Sequence, residues 1–167
     1  MEDEIVETLH VSGLEVKLRP ATPDDIPLLL SLIGAMASFE KLELSTTEES
    51  LRESLFGEAP AARSLLAFIG EQPVAYATWF FTFASMTGKR GLWLDDLFVV
   101  PTYRGKGIGR ALMKYFAGIA LRHRCARFEW MVLDWNEPAI SFYKRLGATM
   151  LTNWRICRLD GSQLSLL

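Results

Sequence analysis

The sequence predicts an α/β fold, a mixed sheet with helices on both faces. Strand-like and helix-like stretches alternate along the chain, and three strand-like stretches follow one another in its middle without a helix between them. The 167 residues suffice for one domain, and half of them are apolar, which allows a substantial core. No repeat, linker or low-complexity tract divides the chain. We therefore expect residues 1–167 to form a single domain, with residues 1–13 as a flexible N-terminal extension.

The N-terminal part of the chain predicts a strand followed by a helix. Residues 14–18 alternate apolar and polar side chains, which is typical of a strand. Thr22 or Asp24 can cap the following helix, whose apolar side chains recur every three or four residues. We expect this helix to end near Ser38.

The middle of the chain predicts a short helix and then three strands. Thr46 and Glu49 have the spacing of a capping box, and Gly57 ends the helical pattern. β-Branched and aromatic residues then dominate three stretches. We expect these to form an antiparallel meander over residues 64–69, 73–83 and 91–100.

The last third of the chain predicts two more helices and two more strands. Residues 111–120 have the periodicity of a long helix, and residues 127–133 are apolar enough for a buried strand. Asn136 can cap a helix that ends at Gly147. Residues 150–159 are then expected to supply a last strand.

Composition and charge argue against several classes of partner. The net charge of −2 and the pI of about 5.7 leave no basic surplus for nucleic acid or an anionic membrane. The longest apolar stretch, residues 74–84, is too short to span a bilayer, and the acidic N-terminus lacks the pattern of a secretory signal. Cys125 and Cys157 are far apart and have no His or Cys at ligand spacing, so we expect no metal site. A cytoplasmic protein with a small-molecule or protein partner is expected.

The segment 104–110, between the meander and the long helix, reads Arg-Gly-Lys-Gly-Ile-Gly-Arg. Its glycines let the backbone approach an anion, its basic side chains add positive charge, and the start of the helix offers unpaired N–H groups. The glycine spacing matches neither a P-loop nor a Rossmann fingerprint. The pattern predicts a phosphate site of another kind, with a flexible connection as the alternative.

The motif Arg104-x-x-Gly107-x-Gly109 resembles the acyl-CoA loop of the GNAT acetyltransferases. Residues 19–22, 94–99 and 135–148 extend the resemblance to the diamine (spermidine/spermine) N-acetyltransferase branch. The resemblance implies a mixed, mostly antiparallel sheet. It also implies transfer of the acetyl group of acetyl-CoA to a primary amine of a small molecule, either a diamine, a polyamine, thialysine or a lysine-like amino acid.

The resemblance also implies the residues that bind acetyl-CoA. The strand before the loop would hold the acetyl carbonyl and the pantetheine through its backbone, the loop would hold the pyrophosphate, and the cap of the next helix would hold the pantetheine arm. The residues implied are Leu97, Phe98, Val99, Arg104, Gly105, Lys106, Gly107, Ile108, Gly109, Arg110 and Asn136.

Asp95 and Tyr143 are the predicted catalytic residues. An alkylammonium has a pKa near 10.4, so the nucleophilic amine needs a proton acceptor. Asp95 and Asp96 lie in an apolar strand and, as neighbours, are expected to point to opposite faces. By the resemblance Asp95 replaces the family's catalytic glutamate, acting directly or through a water, and Tyr143 is the general acid. The alternatives are a solvated strand position for Asp95 and a core position for Tyr143.

Phe39 and Glu40 match an aromatic–glutamate pair that contacts the amine in the same branch, and with Asp95 they are the predicted substrate-binding residues. Glu43 and Asp134 are further carboxylates that could line a channel for a cation. Glu40 is also compatible with a surface charge at a helix end.

Three wider expectations concern the substrate, the assembly and the activity. The chain lacks the acidic insertion that follows the position of Gly147 in the diamine enzymes, which makes a shorter amine as plausible as a polyamine. The branch is usually homodimeric, so a homodimer is expected. The alternative functions are a protein N-terminal or lysine acetyltransferase and a non-catalytic CoA-binding regulatory module.

Overall fold

The computed structural model describes residues 7–166, which form two compact units divided after Met131. The first unit contains a six-stranded sheet and three α-helices, and the second contains one α-helix and a short 3-10 helix. The strands are β1 (Glu7–Val11), β2 (Leu14–Pro20), β3 (Arg63–Ile69), β4 (Gln72–Ala84), β5 (Lys89–Val99) and β6 (Arg127–Trp130). The α-helices are α1 (Ile26–Glu40), α2 (Glu48–Phe56), α3 (Ile108–Arg122) and α4 (Glu137–Arg145).

The strands follow one another across the sheet in chain order. From β1 to β5 each strand is antiparallel to the one before it, and β6 pairs parallel to β5. A parallel neighbour requires a crossover, which α3 provides between β5 and β6. This mixed, mostly antiparallel sheet confirms the predicted fold class and the predicted meander of β3, β4 and β5.

Helices cover both faces of the sheet in the first unit. On one face, Ile26 and Leu29 of α1 pack with Leu51 of α2 against the ring of Tyr76 on β4. On the other face, Phe116 of α3 meets the indole of Trp79 edge to face, with 6.2 Å between the ring centroids. Side chains of positions 76 and 79 point to opposite sides of β4, since successive strand residues alternate.

Two details near the N-terminal half differ from the sequence predictions. Residues 7–11 form β1, paired with β2, where a flexible extension was predicted; residues 1–6 lie outside the described part of the chain. The cap of α2 is Thr47, whose hydroxyl accepts from the Ser50 backbone N–H, so the predicted box at positions 46 and 49 is displaced by one residue. In the observed box Ser50 takes the place of the usual glutamate or glutamine, because its Oγ accepts a hydrogen bond from the Thr47 backbone N–H.

The second unit confirms the predicted helix but not the predicted last strand. Asn136 caps α4 by accepting a hydrogen bond from the Ala139 backbone N–H, and Gly147 follows the helix at φ +90°. Residues 150–159, predicted as a strand, form a turn and irregular backbone. A strand needs a neighbour to satisfy its backbone groups, and an apolar pattern does not supply one.

All helices in the described range 7–166 are too short or too polar to cross a membrane.

Candidate active site

A β-bulge in β5 changes where Asp95 and Asp96 point. Asp96 is opposite Thr78 of β4 and Leu94 is opposite Trp79, so Asp95 is an extra residue without a partner on β4. A bulge interrupts the alternation of side chains. The charge of Asp95 raises the pKa of the Asp96 carboxyl. The prediction of opposite faces is therefore wrong, because it assumed a regular strand.

Asp96 is the most perturbed carboxyl group of this cluster. Burial, then the charges of Asp95 and Glu40, raise its pKa from 3.8 to about 6, although hydrogen bonds from Tyr76 and Thr78 act in the opposite direction. The Tyr76 side chain is 1% exposed. Burial and the same three carboxylates raise the pKa of the Tyr76 hydroxyl as well. Asp96 is thus a carboxylate that accepts a proton near neutral pH.

Glu40 joins the cluster from the last residue of α1. Lys41 follows it in the left-handed conformation at φ +58°, which ends the helix. Burial raises the pKa of Glu40, and its charge in turn raises the pKa of Asp96. Phe39, the preceding residue, is 41% exposed. Glu40, Asp95 and Asp96 therefore act on one another electrostatically as one acidic cluster, and this concentration of negative charge favours a cationic ligand.

Asp95 is exposed at the surface of this cluster. Its Oδ1 accepts a hydrogen bond of 3.2 Å from the Trp93 indole N–H. The Trp93 ring in turn packs against Phe80 of β4, with 6.4 Å between the ring centroids. Trp93 therefore holds the carboxylate of Asp95 in one orientation while leaving it accessible.

The glycine loop leads directly into α3. Gly105 and Gly107 have φ angles of +73° and +86°, and Gly107 is the N-cap of the helix. A Cβ at Gly107 would lie 2.9 Å from Cγ1 of Val11, so the position excludes a side chain both by conformation and by space. The N–H groups of the first turn of α3 are free of intrahelical partners by the geometry of a helix, and they favour an anion.

Arg104 faces the end of β5. Its Nε donates a 2.9 Å hydrogen bond to the Val99 carbonyl, and its guanidinium lies 4.3 Å from the ring centre of Phe39 and 5.3 Å from that of Phe98. Burial lowers its pKa. Arg104 thus fixes the loop to β5 and to the last turn of α1, and it covers one face of the Phe39 ring.

The edge of β5 that faces β6 opens beyond Leu94. The parallel pairing of the two strands ends at Leu94 and Trp130, whereas on the other side β4 continues to pair as far as Val99. Residues 97–99 therefore have a strand on one side only. Their backbone groups on the open side are suited to an extended ligand with amide groups, and Phe98 itself is buried on the side of α1.

Asn136 and Tyr143 belong to the second unit. The Asn136 side chain is buried and is used as the cap of α4. Tyr143 lies two residues before the end of that helix, with its ring 5.2 Å from that of Phe142. Asp134, also in this unit, is exposed. The roles assigned to Asn136 and Tyr143 stay predictions.

Asp96 of the acidic cluster and its hydrogen-bond partner Tyr76 were not among the predicted site residues. Asp96 is conspicuous in the sequence because it lies in an apolar strand. That it shares a side of β5 with Asp95 depends on the bulge, which the sequence does not show. Tyr76 looks like an ordinary core residue of a strand, and no pattern in the sequence indicates its hydroxyl. In the described residues, no group of three or more His, Cys, Asp or Glu side chains is arranged to hold a metal ion.

Comparison with known proteins shows the family of this chain. Residues 33–148 match the acetyltransferase (GNAT) family, so the chain belongs to that family. The resemblance noted in the sequence is confirmed, and the protein is an acetyltransferase that uses acetyl-CoA, as its family does.

The similar proteins include enzymes that act on small amines. The chain is 37% identical to the thialysine N-epsilon-acetyltransferase of Mus musculus, over 89% of this chain and 94% of that one. It is 29% identical to L-ornithine N5-acetyltransferase NATA1 of Arabidopsis thaliana, over 89% and 86%. An integron cassette protein from the mobile metagenome of V. cholerae has a similar structure, with a TM-score of 0.77, 26% identity and coverage of 90% and 96%.

Proposed function

We propose that the protein acetylates the terminal primary amine of a short cationic molecule, such as thialysine, lysine, ornithine or a diamine. The acidic cluster of Glu40, Asp95 and Asp96 carries this proposal, because three carboxylates in one neighbourhood need a cation to offset their repulsion. The thialysine and ornithine acetyltransferases among the similar proteins support the same substrate class.

The residues of the first unit fit acetyl-CoA. The glycine loop and the first turn of α3 would hold the pyrophosphate, and the open edge of residues 97–99 would hold the amide groups of the pantetheine arm. The absence of a side chain at Gly107 lets the loop pass beside Val11 of β1 and begin α3 with a positive φ angle. Acetyl-CoA, when bound, supplies the activated acetyl thioester.

Asp95 is proposed to prepare the amine for attack. At neutral pH an alkylamine is almost entirely protonated, since its pKa is near 10.4, and it must lose this proton to become a nucleophile. Asp95 is exposed and oriented by Trp93, so it can accept the proton directly or through a water. Asp96 and Glu40 provide negative charge that attracts the ammonium group beforehand.

Tyr143 is proposed to protonate the departing thiolate of CoA. Its phenol O–H can donate a proton to the sulfur as the C–S bond breaks. Backbone N–H groups of residues 97–99 are proposed to stabilise the oxyanion, the usual device where no side chain is available. Asn136, as the cap of α4, is proposed to fix the pantetheine arm.

The length of the substrate follows from what the chain does not contain. Within the stretch 148–154 no acidic residue follows Gly147, so no carboxylate there could bind a distant second amine of a polyamine.

We further propose that the enzyme is a cytoplasmic homodimer. Trp154 and Ile156 are 74% and 67% exposed, and such large apolar side chains favour a protein contact.

An amine panel tests the proposal. The purified protein is incubated with acetyl-CoA and thialysine, lysine, ornithine, putrescine, spermidine or a histone-tail peptide, and thiol release is followed. Turnover with a short amine is expected, reduced at least a hundredfold in Asp95→Asn and Tyr143→Phe, since general acid–base groups contribute about that much. Glu71→Gln, in the exposed turn between β3 and β4, is the control for the loss of one carboxylate.

Two results would contradict the proposal. Preference for the histone peptide would identify a protein acetyltransferase. Tight binding of acetyl-CoA without turnover of any amine would identify a CoA-binding regulatory module.

A further inference from the structure

A second cavity lies at the opposite end of α3 from the glycine loop. Its volume is about 550 Å³, and its walls come from α3, β3, β4 and the chain after α2. Because α3 has 15 residues, its two ends are separated by about 21 Å. The cavity is therefore distinct from the proposed acetyl-CoA loop, and its size is that of a site for a small molecule.

The inner wall of the cavity is aromatic. Trp79 and Phe81 meet edge to face at 5.3 Å, and the His123 ring lies 4.8 Å from Phe81. Tyr115 of α3 and Phe56 at the end of α2 extend this surface. Flat aromatic walls of this kind favour a planar apolar body.

The charged side chains of the cavity are all basic. They are Arg63 and Arg122, and no acidic residue is present among the described residues that form its wall. This excess is local, because the whole chain has a net charge of −2. The C-terminal end of α3 favours cations by itself, which accounts for Arg122. Arg63 comes from β3, and its guanidinium lies 5.1 Å from the ring centre of Trp79, which holds its positive charge beside the aromatic wall.

We propose that this cavity binds a small aromatic carboxylate. The planar ring would lie against Trp79 and Phe81, and the carboxylate would be held at the mouth by Arg63 and Arg122. A neutral aromatic compound of the same shape would lack the attraction between the carboxylate and the two arginines. The binding does not depend on the proposed acetyl transfer.

The same cavity has a direct connection to the acidic cluster. Phe80 lines the cavity, its ring packs against Trp93, and the Trp93 indole donates to the Asp95 carboxylate. Phe80 alternates with Trp79 and Phe81, so its ring points to the other side of β4. A ligand that displaces this part of β4 would displace the Phe80 ring, Trp93 and hence Asp95. Occupancy of the cavity is expected to change the KM for the amine by two- to fivefold, a consequence that rests on the proposed function.

Titration with 2-naphthoate, followed by the backbone amide shifts in NMR spectra of the ¹⁵N-labelled protein, tests the binding. Shifts are expected at Ala61, Ala62 and His123, with 2-naphthylmethanol as the uncharged control. The alcohol is expected to bind about tenfold more weakly. Arg63→Gln with Arg122→Gln is expected to weaken naphthoate binding about tenfold, and Lys114→Gln, exposed on α3 outside the cavity, is expected to leave it unchanged.

Three results would overturn the inference. Equal affinity for naphthoate and the alcohol would show that the arginines do not recognise the carboxylate. Shifts confined to the acidic cluster or the glycine loop would assign the ligand to the proposed active site. Absence of shifts at millimolar naphthoate, with Arg122→Glu dissociating a dimer in sedimentation, would show that a second copy of the chain covers the cavity. If binding occurs but acetyl transfer does not, only the proposed function fails.

Discussion

Replacement of Asp96 by asparagine is expected to stabilise the protein above pH 7. The pKa of Asp96 is raised from 3.8 to about 6, chiefly by burial and then by the charge of Asp95. Each unit of pKa corresponds to about 1.36 kcal/mol, so ionisation of Asp96 lowers the free energy of unfolding by about 3 kcal/mol. Because the native state holds the proton more tightly than the unfolded chain, this stability is present at low pH and is lost as the pH rises through 6.

Urea denaturation at pH 5 and pH 8 measures this effect. Between pH 5 and pH 8, the ionisation of Asp96 alone lowers the free energy of unfolding of the wild type by about 1.4 kcal/mol, according to the linkage relation. The Asp96→Asn variant lacks this contribution. The stability of the variant relative to the wild type is therefore expected to increase by about 1.4 kcal/mol on going from pH 5 to pH 8. Asp160→Asn, at an exposed position, controls for the loss of one charge. An equal difference at both pH values would refute the raised pKa of Asp96.

Three further substitutions test other parts of the fold. Asp25→Asn is expected to lower the free energy of unfolding at pH 7 by about 2 kcal/mol, because the hydrogen bonds from Arg19 lower the pKa of Asp25 from 3.8 to about 2. In urea denaturation, the difference in stability between the variant and the wild type is expected to vanish as the pH falls from 4 to 2. Gly107→Ala is expected to weaken CoA binding at least tenfold in calorimetry, because φ is +86° and the new Cβ meets Val11; unchanged affinity would contradict the role of the loop. Thr82→Val is expected to stabilise the protein by about 1 kcal/mol, because the buried Oγ1 of Thr82 has no hydrogen-bond partner in the described structure. Calorimetry is expected to show a rise in Tm of about 2–4 °C, and a lower Tm would mean that this hydroxyl does have a hydrogen-bond partner.

Much of the fold could be predicted because its signals are local. The alternation of residues 14–18, the β-rich stretches of the meander and the cap at Asn136 each depend on a few neighbouring residues. The glycines of the loop are equally local, since positive φ angles at positions 105 and 107 require that residue type. The pairing of Phe39 with Glu40 at the end of α1 came from the resemblance to a family, and the structure confirms only their location.

The rest could not be predicted because it depends on contacts between distant parts of the chain. The bulge at Asp95 is a shift of register between β4 and β5, and no glycine or proline marks it. Residues 7–11 became a strand because β2 offers an edge, whereas residues 150–159 have a similar pattern and form no strand. The raised pKa of Asp96 likewise requires Glu40 from another element.

The bulge explains why this site is acidic at a position where the fold would otherwise separate the charges. In a regular strand, Asp95 and Asp96 would face opposite sides and would interact weakly. The bulge makes Asp95 and Asp96 neighbours of Glu40. As a result, the Asp96 carboxyl resists ionisation, and its pKa is raised. Such destabilisation without a ligand is typical of functional sites, because a bound cation removes it. We therefore propose that this cluster, which is unfavourable when empty and favourable around an ammonium group, discriminates in favour of cationic amines before any chemistry begins.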